Sequence, residues 1–83
     1  MIRADVEVKI KEGLASSSLA FFIQKASRYS ADVVVHKGDR QANAKSLLGL
    51  LSLGITKDDT VTISAEGVDE KMAIDELSDY LKS

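Results

Sequence analysis

The chain has 83 residues, 45% of them hydrophobic, a formal net charge of -2 and neither cysteine nor proline. A chain this short buries only about 60 to 65% of the surface its unfolded form exposes, so residues 1–83 are read as a single domain with one modest core. Its 11 basic and 13 acidic residues are interspersed, which leaves no basic stripe for nucleic acid; without cysteine, and with His36 as the lone histidine, no disulfide framework or structural metal site is expected.

The opening IRADVEVKIK alternates, with Ile2, Ala4, Val6, Val8 and Ile10 apolar and the residues between them charged. That period of two predicts a strand with one dry and one wet face. It is neither the continuous apolar run of a signal peptide nor a membrane span, so a cytoplasmic protein with no membrane partner is expected.

The stretch EGLASSSLAFFIQ, Glu12 to Gln24, then brings three serines to the start of an apolar stripe. Leu19, Phe22, Ile23 and Ala26 recur at i, i+3, i+4 and i+7 and predict an amphipathic helix from about Ser16 to Tyr29. Ser16, Ser17 and Ser18 then admit three roles. They can cap the helix, with Ser16 or an immediate neighbour as the N-cap, because a serine hydroxyl satisfies an orphan backbone N–H. They can form an anion site, because the same N–H groups and the helix dipole attract phosphate. A nucleophile is the third role, but it needs a base within reach, and the only histidine lies beyond the next strand.

In ADVVVHKGDRQAN a β-branched run meets a Lys37-Gly38-Asp39 turn, which predicts a hairpin with strands near 32–37 and 40–43. His36 closes the first of these strands, a place where a lone histidine is ordinarily a solvated surface residue. SLLGLLSLG then reads as a short helix with Ser46 as N-cap and Gly54 as its stop. Its leucines, at 47, 48, 50, 51 and 53, cover more than half the circumference. One side packs on the sheet; the other is either core or an exposed patch of the kind that marks a partner surface.

DTVTISAEG alternates again, with Val61, Ile63 and Ala65 facing one way, and Gly67 breaks it before VDEKMAIDELSDYLK. Ala73, Ile74, Leu77, Tyr80 and Leu81 stripe this final helix, and Asp69 and Glu70 in its first turn oppose the dipole. The order is βαββαβα. Strands wet on one face and covered by helices on the other predict an α+β open-faced sandwich.

QANAKSLLGLLSLG, Gln41 to Gly54, closely resembles the regulatory-serine segment of the HPr proteins, the phosphocarriers of the bacterial sugar phosphotransferase system, whose usual form is VNAKSIMGLMSLG. AEGVDEKMAIDEL resembles their last strand-to-helix turn, and the opening strand with EGL resembles their first. The resemblance implies a four-stranded antiparallel sheet carrying three helices on one face. The family's active-site pattern is GLHARP, in which the histidine receives a phosphoryl group and the arginine supports it. Here Ala15 stands at the histidine position, Ser17 at the arginine and Ser18 at the proline. Neutral imidazole is a nucleophile near pH 7, whereas alanine offers no such atom.

The resemblance therefore implies a Crh-like or more distant paralogue, neither an enzyme nor a competent phosphocarrier, with no cofactor. Ser46 matches the serine that a dedicated HPr kinase/phosphorylase modifies in low-GC Gram-positive members, making a corepressor for a catabolite-control transcription regulator. The Crh branch also lacks the histidine and keeps this serine, but it retains the arginine and proline that are absent here. Protein partners are expected, met by Ser46 with Leu47, Leu48 and Leu51. Two alternatives stand beside this: a small anion- or peptide-binding module that uses Ser16 to Ser18 and is unrelated to sugar transport, and a phosphocarrier with another nucleophile, for which His36 is the sole histidine.

Overall fold

A computed structural model describes all residues from Met1 to Ser83. The elements in chain order are β1 (Ile2–Glu7), α1 (Ser16–Ser27), β2 (Asp32–Lys37), β3 (Arg40–Asn43), α2 (Leu47–Leu53), β4 (Thr60–Glu66) and α3 (Glu70–Lys82). The sheet order is β1-β4-β2-β3, so the last strand to be made lies inside the sheet. Every pairing is antiparallel.

The register explains why one face is dry. Across the β1 and β4 seam Val6 faces Val61, Ala4 faces Ile63 and Ile2 faces Ala65; across the β4 and β2 seam Val35 faces Ile63 and Val33 faces Ala65. A slip of one residue would turn all of these to the wet side. The three helices cover the dry face. Leu19, Phe22 and Ala26 of α1, Leu50 and Leu53 of α2, and Ala73, Ile74, Leu77 and Leu81 of α3 join it in one core of 21 buried residues. The open face carries the alternate positions, including Arg3, Asp5, Thr62 and His36, with the Thr62 hydroxyl donating to Asp5 at 2.6 Å. This is the expected open-faced β-sandwich.

The inward alternation outlasts the first strand. Val8 and Ile10 are buried beyond Glu7, because the Val8 N–H donates to the Asp59 carbonyl at 2.8 Å and its carbonyl accepts from Asp58 N at 2.7 Å. Helix α1, in contrast, stops at Ser27, two residues short of the expected Tyr29. Tyr29 leaves the helix and its hydroxyl donates to Glu76 of α3, which also receives Lys25 at 3.4 Å and Arg28 at 3.3 Å. The Tyr29 bond chiefly, with Lys25 and Arg28 beside it, holds the Glu76 carboxyl below its ordinary pKa, and Glu76 raises the Tyr29 phenol in return.

Glu70 stands in the first turn of α3 as expected, whereas Asp69 does different work. Asp69 is the N-cap but makes no side-chain bond to its own helix. Its two carboxylate oxygens accept from Ser30 N and Ala31 N, both at 2.8 Å, and so tie the α1-to-β2 connection to the far end of the chain. The neighbouring turn packs so closely that a Cβ on Gly67, at φ 153°, would lie 2.6 Å from the Ala31 Cα. Only glycine fits there without strain.

Candidate functional site

Helix α2 forms where the sequence places it, because both of its ends are local devices. Ser46 is extended at φ -106° and ψ 114°, and its Oγ accepts from Gly49 N at 3.1 Å. Gly54 ends the helix at φ 60° and ψ 49°, and its N–H donates to the Leu51 carbonyl at 3.2 Å. Gly49 stands where a side chain would be crowded. A Cβ there would sit 3.1 Å from both the Ala42 Cβ on β3 and the Ser46 Oγ, crowding the helix against the sheet.

The leucines divide cleanly. Leu50 and Leu53 are buried, while Leu47, Leu48 and Leu51 are 53%, 79% and 51% exposed. Full burial of the helix, one of the two possibilities read from its composition, is excluded. The half-buried Ser46 hydroxyl thus begins a helix whose outer side is apolar and solvent-facing. Its partner is a backbone N–H, not a titratable side chain, so nothing in the chain is placed to deprotonate it. An external agent must supply any chemistry at this oxygen. Phe21, 54% exposed on α1, is a further apolar surface residue that the stripe reading passed over because it lies one position off Phe22.

At the start of α1 the structure redistributes the serine roles. The N-cap is Ala15, at φ -144° and ψ 151°, and not Ser16. An alanine side chain cannot accept a bond, so the side-chain capping is supplied from inside the helix. Buried Ser18 places its Oγ 3.0 Å from Ala15 N, 2.6 Å from the Gly13 carbonyl and 2.7 Å from the Ala15 carbonyl. This is the backward half of a capping box, with serine in place of the usual longer side chain. Ser18 is therefore withdrawn from any exposed anion site. Ser16 and Ser17 remain exposed, and Ser16 takes φ 52°, a left-handed conformation uncommon for a residue with a side chain.

His36 is not brought to these groups. It lies on the open face, half-buried, with Nε2 3.3 Å from the Ser64 Oγ, whereas α1 and α2 cover the opposite face. The sequence reading of a solvated histidine is thus adjusted by one polar contact. No group of three or more His, Cys, Asp or Glu side chains is placed to hold a metal ion. No helix is long and apolar enough to cross a membrane.

Comparison with known proteins adds to this geometry. The family model described as the PTS HPr component phosphorylation site matches residues 2–83. The HPr-like protein Crh of Bacillus subtilis is 39% identical over 82 residues, which is 99% of this chain and 96% of that protein. Among solved structures, HPr-C-His from Thermoanaerobacter tengcongensis superposes with a TM-score of 0.96 at 41% identity, covering 100% of this chain and 93% of that one. The phosphocarrier protein HPr from Bacillus anthracis str. Ames superposes with a TM-score of 0.95 at 36% identity, covering 96% and 95%.

Proposed function

The chain belongs to the HPr family of the phosphoenolpyruvate-dependent sugar phosphotransferase system, and from that premise we propose that it is a regulatory member acting through Ser46 and not a competent phosphocarrier. Family members are carriers and not catalytic enzymes, and this chain is not an enzyme. What is particular to it is the residue set. Ala15 at the position of the family's histidine cannot hold a phosphoryl group, and Ser17 cannot supply the guanidinium that pairs with phosphate.

The observation that carries the regulatory reading is the setting of Ser46. Its hydroxyl starts α2 with one backbone partner and is followed by the exposed Leu47, Leu48 and Leu51. A kinase of the HPr kinase/phosphorylase type would break the bond joining a nucleotide's terminal phosphoryl group to its leaving diphosphate. It would form a P–O bond to Ser46 Oγ and take the hydroxyl proton onto its own base. The product adds roughly 1.5 to 2 negative charges beside an apolar surface. Such a surface offers apolar contact while selecting partners with an arginine or lysine opposite, a catabolite-control transcription regulator among them.

The test is treatment with a Gram-positive HPr kinase and mapping of the product by mass spectrometry, with Ser46→Ala as the control. The control loses one capping bond, about 1 kcal/mol, and should stay folded. A single phosphoryl group on Ser46 is expected. An unmodified wild type, or a modified protein that unfolds, defeats the reading and leaves a small binding module that uses exposed Ser16 and Ser17. In a parallel incubation with phosphoenolpyruvate and the system's first enzyme, no phosphoryl transfer is expected; phosphohistidine at His36 would make the chain a carrier with a displaced nucleophile.

A further inference from the structure

The residue before the candidate phosphorylation site is bonded to a distant part of the fold. Lys45 is half-buried, and its ammonium donates to the Tyr29 carbonyl at 2.8 Å, at the point where α1 has ended and the chain turns toward β2. It takes part in none of the seven ion pairs. Its partner is thus a neutral oxygen, although its charge is near enough to Asp69 to help hold that carboxyl low, behind the larger effect of the Ser30 backbone bond. Asp69 in turn grips Ser30 N and Ala31 N. Residues 29–31 are therefore fastened from three directions: by Lys45 from the start of α2, by Asp69 from the start of α3, and by Glu76 through the Tyr29 hydroxyl.

We propose that Lys45 is a relay that transmits Ser46 phosphorylation to the α1-to-β2 connection, by leaving the Tyr29 carbonyl for the new phosphate. The proposal rests on the reading of Ser46 as a modified residue. As a free hydroxyl, Ser46 accepts from Gly49 N and presents no charge to its neighbour. Once esterified, it places a dianion one residue from an ammonium whose present partner is uncharged. A charge-assisted bond to phosphate is about twice as strong as one to a neutral acceptor. The flexible four-carbon lysine stem lets the ammonium exchange the one for the other without moving the backbone. The Tyr29 carbonyl then loses its donor, and the connection is held by Asp69 and Glu76 alone. The phosphate is thereby read at the end of α1 as well as on α2.

The test uses the full 83-residue chain made by chemical synthesis with Ser46 phosphorylated, so that it does not depend on a kinase. Two quantities are measured by NMR: the carbonyl carbon shift of Tyr29, and amide hydrogen exchange at Ser30 and Ala31. Phosphorylation should move the Tyr29 carbonyl resonance upfield and speed exchange at the two amides by about two- to tenfold, the factor set by one lost hydrogen bond. Unphosphorylated Lys45→Met should reproduce both changes, and phosphorylating that variant should add nothing to either. A Tyr29 carbonyl that moves in Lys45→Met but not in the phosphorylated wild type would overturn the relay. So would a Lys45→Met protein in which the carbonyl does not move, or one in which phosphorylation still moves it. If the relay is seen in the synthetic protein while the kinase leaves the wild type unmodified, only the Ser46 reading fails.

Discussion

Ser18→Ala is the perturbation that most directly tests how α1 begins. The Ser18 Oγ lies 3.0 Å from Ala15 N, an amide at the N-cap that has no other way to be satisfied within the helix. Losing that acceptor costs about 0.5 to 2 kcal/mol, by analogy with other helix-start deletions. The same hydroxyl has one proton to share between the carbonyls of Gly13, at 2.6 Å, and Ala15, at 2.7 Å. Removing that buried bond costs a further 0.5 to 1.5 kcal/mol, roughly. A total of about 2 kcal/mol corresponds to a fall in Tm of about 8 to 16 °C for a domain this small. Ser16→Ala and Ser17→Ala remove exposed hydroxyls with no partner in the fold and should stay within about 0.5 kcal/mol of wild type. Urea unfolding followed by far-UV circular dichroism, with equal m-values across the series, measures all three. If Ser18→Ala costs no more than Ser17→Ala, or if Ser16→Ala is the costly change, the reasoning about the cap is wrong.

The two kinds of leucine on α2 should separate in the same assay: Leu50→Ala, at a fully buried position, is expected to lose about 2 to 4 kcal/mol, and Leu48→Ala, on the exposed side, less than about 0.5. Comparable losses at both would mean that the outer side is covered in solution. Acid should weaken the fold in a defined window. Lys37, followed by Thr56 N, holds the Asp59 carboxyl at about 2, and Glu76, Asp69, Glu70 and Asp58 are lowered in the same direction. A carboxyl whose folded pKa is depressed adds stability that is complete above its unfolded value, about 4, and is lost as the pH falls through the folded one. Stability should therefore be flat from neutrality to about pH 5 and decline steeply from about pH 4 to 2. Asp59→Asn should make that decline shallower, and an unchanged slope would show that the Lys37 contact does not persist in solution.

What the sequence determined by itself is whatever depends on a few neighbouring residues. Alternation over Ile2 to Ile10 selected a dry face, because side chains in an extended chain point to opposite sides by geometry. Ser46 and Gly54 marked the ends of α2 to the residue, since an N-cap hydroxyl bonds within its own first turn and a left-handed stop needs only a residue without a Cβ. Family-specific residues around Ser46 sat in the same local segment, which is why the resemblance was legible there. Tertiary structure decided the questions whose answers lie far along the chain. The N-cap fell on Ala15 because the approach to α1 is anchored elsewhere, with Leu14 N donating to the Ile55 carbonyl at 3.1 Å. No local propensity could report that anchor. Composition left open which leucines of α2 face water, and the packing of Leu50 and Leu53 into the sheet settled it. Asp69, a plausible helix-start acid by sequence, binds Ser30 and Ala31 instead, and Lys45 reaches back to Tyr29, because folding brings residues remote in sequence within 3 Å of unsatisfied backbone groups.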